Sequence, residues 1–255
     1  MRTLSLTLSQ TGYTNKAFWR NPAQAFFIFA FPLMFLVIFT ALLGNNTVHI
    51  GTETVKQSTY YVVSMSAFGV ITACFNNIAI SIAFLREAGV LKRINGTPMP
   101  SVSYLGARIL HSLFVAVILV SLTCAFGRVA YSVMLPSGTA LLEFVVMLVV
   151  GAAAFCALGL ALSAAIPNAD AAAPIVNAVI LPVLFLSGVF IPFGNNTPTW
   201  LLWIARIFPV RHFVLGLQAG FLGMPFHWTD VLVVAAWGVG GLLVALRFFT
   251  WEPHT

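Results

Sequence analysis

Long stretches without an ionised side chain dominate this chain, over residues 21–52, 57–85, 109–127, 144–169, 171–205 and 231–246. An ionised group at the centre of a bilayer costs about 2.5–3.5 kcal/mol even on the lenient insertion scale, so charges mark where crossings end. About 20 apolar residues cross the hydrocarbon core as a helix. Most of these stretches reach that length and lack the clean period-2 alternation of barrel strands, which predicts an all-α polytopic membrane protein. Six transmembrane helices are expected at about 23–43, 59–84, 104–126, 141–165, 171–192 and 229–249. The first is read as a retained helix and not a signal peptide, because the apolar run after Arg20 is too long for an h-region and no cleavage site follows cleanly.

Between the fifth and sixth spans the pattern breaks down. Pro198, Pro209, Gly216, Gly220, Gly223 and Pro225 interrupt an apolar, Trp-rich segment. A crossing there would have to fit between Arg211 and Asp230 and would reverse the C-terminus. A re-entrant pair of half-helices in the outer leaflet fits the helix breakers better, with Trp200 and Trp203 at the interface. Pro32-Leu-Met-Phe-Leu with Gly44-Asn-Asn-Thr47 recurs as Pro182-Val-Leu-Phe-Leu with Gly194-Asn-Asn-Thr197 at an offset of 150. A three-plus-three duplication would relate spans one and four, not one and five, so the echo is read as shared turn chemistry at two outer boundaries.

Composition confirms the solvent. Of 255 residues, 12 are Lys or Arg and 6 are Asp or Glu, 60% are hydrophobic, and the mean hydropathy is +0.99. A soluble domain carries about 25% charged residues, against 7% here. The net charge of +6 does not point to nucleic acid, because the cations stand singly or in pairs. Positive-inside topology accounts for them. With both termini in the cytoplasm, Arg2, Lys16, Arg20, Arg86, Lys92, Arg93, Arg108 and Arg247 lie inside, and Lys56, Arg128, Arg206 and Arg211 outside. Cys74, Cys124 and Cys156 are far apart in apolar sequence, with neither CxxC spacing nor paired histidines, so neither a disulfide nor a bound metal is expected.

Polar residues concentrate between spans two and three, from Arg86 to Pro100. Residues 86–94 are expected to form a short amphipathic helix stopped by Gly96 and Pro98. Pattern alone leaves two roles open, binding anionic headgroups or docking a soluble partner. Residues 1–22 form a second informative stretch, a cytoplasmic tail leading into an interfacial helix with Tyr13, Phe18 and Trp19 beside Lys16 and Arg20. Residues 1–10 read equally as a frayed tail. Residues 23–255 then make one transmembrane domain. Within the spans the polar groups are neutral, among them Ser64, Ser66, Thr72, Asn76, Asn77, Asn177 and Ser187. Helix-to-helix hydrogen bonding is their ordinary use. The functional alternative is a substrate path of Asn76, Asn77, Asn177 and Ser187 with Phe68, Phe75, Phe185 and Phe190, suited to amphipathic molecules.

Arg86-Glu87-x-Gly89-x-Leu91-Lys92-Arg93-x-x-x-Thr97-Pro98-x-Pro100, then Tyr104-x-x-Ala107-Arg108, resembles the ABC-2 type permease family, closest to its daunorubicin-resistance and nodulation-export branch. Asn21-Pro22, Pro32, Phe190-Ile191-Pro192 and the run from Trp200 through Phe208-Pro209 to Phe213 and Gly216 are also similar to that family. The resemblance implies a six-helix permease subunit of an ABC exporter in a bacterial-type plasma membrane, moving drugs, lipids or glycolipids outward. It implies a coupling helix that docks on a separate ATPase, with Arg86, Glu87, Gly89, Leu91, Lys92, Arg93, Thr97 and Pro98 at the matching positions. Asn95-Gly96 departs from the bulkier or basic residues expected before Thr-Pro. This chain has no GxxxxGK[S/T] loop, so no cofactor is expected on it, and ATP and Mg belong to the partner. The expected assembly holds two ATPase copies and two permeases, either a homodimer or related paralogues.

Two other classes fare worse. An ion-coupled secondary transporter or channel needs ionisable groups in the membrane, whereas Glu143 and Asp170 lie at span ends and His111 alone sits well inside an inner half. An embedded enzyme lacks a GxSxG elbow, an HExxH motif or a carboxylate pair within a span. His49, His212, His227 and His254 fall in loops or the tail on this reading, with no joint role.

Overall fold

The computed structural model describes residues 2–43, 46–50, 53–97, 99–193 and 197–251. Helix α1 (Arg2–Trp19) leads through a turn into α2 (Pro22–Leu43). Asn21 caps α2, its Oδ1 accepting the Gln24 N–H at 3.2 Å, and Pro22 at the first position has no N–H to leave orphaned. An antiparallel hairpin, β1 (Thr47–Ile50) and β2 (Glu53–Lys56), pairs Thr47 with Lys56 and leads into α3 (Gln57–Ile71). A π-helical turn, Thr72–Asn76, joins α3 to α4 (Asn77–Glu87), and together they form one span of 31 residues. There follow α5 (Val90–Asn95), α6 (Ser101–Tyr131), α7 (Thr139–Ala165), α8 (Ala169–Leu186), α9 (Thr199–Ile207), α10 (Pro209–Leu222) and α11 (Trp228–Phe248).

Six helical segments among the described residues are long and apolar enough to cross a membrane: α2, α3–α4, α6, α7, α8 and α11. The chain is therefore an all-α polytopic membrane protein. Helices α9 and α10 meet at a bend of 94°, the geometry of a re-entrant pair. The bend has a local cause. Pro209 opens α10, and Phe208 before it is extended at φ −88°, ψ 144°, because a residue preceding proline is sterically kept out of the helical region.

Helices α3–α4 and α7 form the buried centre. Small residues let α7 approach its neighbours at backbone distance. A Cβ on Gly238 of α11 would lie 2.8 Å from the Ala154 Cβ, and one on Gly241 would lie 3.1 Å from the Leu158 N. On the other flank, a Cβ on Gly159 would lie 2.7 Å from the Phe75 carbonyl oxygen of the π turn. With no hydrophobic drive between helices in lipid, such close packing is a main source of association.

Several expectations are revised. Helix α1 runs from Arg2, so residues 2–10 are not a frayed tail. Hydrogen bonds in both directions fasten α1 to α6, with Ser103 Oγ donating to the Thr3 carbonyl at 3.3 Å and Thr11 Oγ1 to the Ala107 carbonyl at 3.4 Å. The fifth span ends at Leu186, well before 192. Gly188 adopts φ +77°, a left-handed conformation that ends helical progress although the sequence stays apolar. The freed carbonyls are taken up by neighbours: Tyr60 Oη donates to Gly188, Tyr61 Oη to Phe190 at 3.2 Å, and Arg211 Nη1 to Ser187 at 3.3 Å. Helix α6, at 31 residues, runs to about 46 Å and outreaches the hydrocarbon core at its ends. Of the repeated Gly-Asn-Asn tripeptides, Gly44, Asn45 and Gly194–Asn196 lie outside the described residues.

The intramembrane hydroxyls also behave differently from expectation. Ser66 donates to the Val62 carbonyl at 2.7 Å, Thr72 to Phe68 at 2.9 Å, and Ser187 to Val183, each within its own helix. A short side chain reaches the i−4 carbonyl without needing another helix. Asn77 bonds across helices as expected, its Oδ1 accepting Gln24 Nε2 at 3.0 Å, and Ser66 also faces Cys124 of α6.

Candidate functional site

The segment from Arg86 to Thr97 does not form one amphipathic helix. Helix α4 ends at Glu87, and Gly89 takes φ +67°, which separates it from the short α5. That turn divides the eight positions matching the coupling motif into two groups.

Arg86 faces inward and is 1% exposed. Its Nη1 donates to the Ser163 carbonyl at 2.9 Å and its Nη2 to the Ile166 carbonyl. Those oxygens belong to the end of α7, where the last carbonyls of a helix have no partner within it and the helix dipole favours a cation. Glu87 does the complementary task. Its Oε2 accepts the Ala169 N–H at the start of α8, beside Asn168, whose Oδ1 accepts the Ala171 N–H at 2.8 Å. One Arg-Glu pair therefore caps both helices of the α7–α8 turn and ties it to the end of α4. Leu91, on the inner face of α5, is fully buried. Lys92, Arg93, Asn95, Gly96 and Thr97 are exposed on the outer side of this platform, with Thr97 Oγ1 donating to the Ile94 carbonyl at 2.7 Å. Pro98 lies outside the described residues.

Residues named for a substrate path fall into separate places. Phe68 and Phe190 are buried with ring centroids 5.6 Å apart, and Phe185, half exposed, packs on Phe190 at 4.9 Å with the ring planes tilted by 44°. Phe35, Phe39 and Tyr61 extend this cluster, with Phe39 and Tyr61 parallel at 5.0 Å. Ser187 is buried beside it. Asn76 and Asn77 lie about two helical turns beyond Phe68 and line a different space, a cavity of about 690 Å³ between α1, α2, α4 and α6. Phe75 is buried against Gly159, and Asn177 is exposed on α8.

A polar cluster that sequence pattern missed stands at the re-entrant pair. His212 is in α10, not a loop, and its Nδ1 lies 2.6 Å from Asp230 Oδ1 at the start of α11 while Nε2 lies 2.9 Å from the Arg206 carbonyl. A carboxylate in the first turn of a helix is favoured by its dipole, and here it also anchors the hairpin. The two residues are 18 apart across helix breakers, with no periodic signal linking them.

Six crossing helices, a re-entrant pair and a capped platform at one end of the bundle define a polytopic transport subunit of the permease type. The chain belongs to the ABC-2 type transporter family, whose family model matches residues 7–222. It is 25% identical over 237 residues to ycf38 of Porphyra purpurea, named as a transport permease, covering 90% of this chain and 79% of that protein. It is 23% identical over 218 residues to YvfS of Bacillus subtilis (strain 168), also named as a transport permease, covering 86% of each.

Proposed function

We propose that this permease is the membrane half of an ATP-driven exporter of amphipathic molecules, powered by a separate nucleotide-binding subunit that docks on α5. Two permeases and two ATPases form the complex, and ATP and Mg are bound by the ATPase. The N-terminus, the α4–α6 connection, the α7–α8 turn and the C-terminus face the cytoplasm of a bacterial-type plasma membrane. The observation that carries this reading is the capping pair. A force applied to the exposed basic turn of α5 reaches α7 and α8 through Arg86 and Glu87 without passing through a flexible loop.

The aromatic cluster of Phe68, Phe185 and Phe190 supports an apolar or amphipathic cargo, since it offers ring faces at the outer half with few fixed charges. The test is copurification of the tagged chain with an ATP-binding protein from its native membrane. Lys92→Glu with Arg93→Glu is expected to abolish copurification while leaving insertion unchanged and lowering the unfolding temperature far less than loss of the buried Arg86 does, because both side chains are exposed. An unaltered complex in that variant would refute docking on α5. Active transport without any ATP-binding partner would replace the reading with an ion-coupled transporter.

A further inference from the structure

The cavity between α1, α2, α4 and α6 has no part in the coupling platform, and its walls have the makeup of a ligand site. Its volume of about 690 Å³ lies in the range of small-molecule sites, roughly 300–1,000 Å³. Arg108 lines it, half-buried, with Nε donating to Tyr104 Oη at 3.2 Å and Nη1 to Ser81 Oγ at 3.3 Å. No Asp or Glu is among the residues lining the cavity. His111, one turn further along α6 and 3% exposed, also lines the space, and its Nδ1 has no hydrogen-bond partner among the described residues. The Asn76 Oδ1 on the opposite wall is likewise buried and unpartnered.

The unpartnered His111 nitrogen and a cation without a carboxylate are costly in a low-dielectric setting unless an acceptor group binds them, while the Asn76 oxygen, itself an acceptor, takes a donor such as a headgroup hydroxyl or water. The π turn sharpens the point. Single π-helical turns concentrate at functional sites, and this one, spanning Thr72–Asn76, ends on the asparagine that lines the cavity. The remainder of the wall is apolar. Phe27 and Phe84 line it and are 62% and 52% exposed, so they stand at its mouth on the lipid-facing surface of the bundle.

We infer that this cavity binds one anionic amphiphile per chain, its phosphate or carboxylate held by Arg108 and His111 and its hydrocarbon chain leaving between Phe27 and Phe84. Arg108 supplies a planar fork matched to such an oxyanion. The site lies within a single chain and does not depend on an ATPase partner.

The experiment is native mass spectrometry of the full-length chain, delipidated in neutral detergent and mixed with phosphatidylglycerol, phosphatidylcholine or dodecyl phosphate. The expected result is one anionic molecule retained per chain in preference to phosphatidylcholine. Arg108→Gln is expected to weaken that retention about tenfold or more, the scale of one lost charge-assisted contact. Arg128→Gln, at the opposite end of α6, controls for general charge loss. Preference for phosphatidylglycerol identifies a bilayer lipid as occupant; preference for dodecyl phosphate with phosphatidylglycerol excluded identifies a single-chain amphiphile of the cargo type. His111→Leu gives an independent arm should Arg108→Gln fold poorly: it removes an unpaired ring nitrogen, so the unfolding temperature holds or rises while anionic retention falls. Equal retention of all three probes by the wild type, or anionic retention unchanged in Arg108→Gln or His111→Leu, overturns the inference.

Discussion

Replacing Arg86 by methionine removes the guanidinium that caps α7 while keeping most of the buried apolar stem. Two carbonyl oxygens, those of Ser163 and Ile166, then lose their donors in a position sealed from water. A hydrogen bond to a charged group contributes about 1.5–3 kcal/mol, so the two together set an upper range of roughly 3–6 kcal/mol. Removing the buried cation also removes its desolvation cost, which offsets part of that. The expected net destabilisation is about 2–4 kcal/mol, in line with breaking a buried charged contact by removal of one partner. The assay has two readouts on the same purified protein, thermal unfolding in detergent and retention of the copurifying ATP-binding protein. Arg86→Met should lower the unfolding midpoint much more than the exposed Lys92→Glu with Arg93→Glu does. An Arg86→Met protein that unfolds at the wild-type temperature yet releases its partner would place Arg86 on the docking surface and refute its assignment as an internal cap.

Glycine substitutions test the packing around α7. Gly159→Ala sets a methyl 2.7 Å from the Phe75 carbonyl oxygen and is expected to destabilise by about 1–3 kcal/mol, while Gly12→Ala on α1, with nothing within 4 Å, should be neutral or stabilising by up to about 1 kcal/mol. Equal unfolding temperatures for the two variants would argue against the close approach of α7 to the π turn. Asp230→Asn removes the carboxylate facing His212 and should raise hydrogen exchange in α9 and α10 selectively; exchange unchanged there would show that the hairpin is held by its apolar contacts alone.

How much of this molecule was legible in its sequence depended on the range of the signal. Crossing helices were legible because each is a local quantity, a run of apolar residues long enough to span hydrocarbon and bounded by charge. The re-entrant pair was legible because Phe208-Pro209 imposes its bend through one steric clash between neighbours. The polar segment from Arg86 to Thr97 was visible as a cluster, but its division was not. Gly89 turns the backbone so that Arg86 and Leu91 face inward and Lys92 and Arg93 face outward, and composition treats the three basic residues alike.

Sequence by itself determined the solvent, the number of crossings and where charge gathers, since those follow from the free energy of moving each side chain between water and lipid. Tertiary structure decided what each polar group faces. It set Arg86 on carbonyls 77 and 80 residues away, Glu87 on an N–H 82 residues away and His212 on Asp230, and it opened beside Arg108 a cavity with two unpartnered polar atoms. Such pairings form only when helices that insert separately are packed side by side, and no period in the chain encodes them.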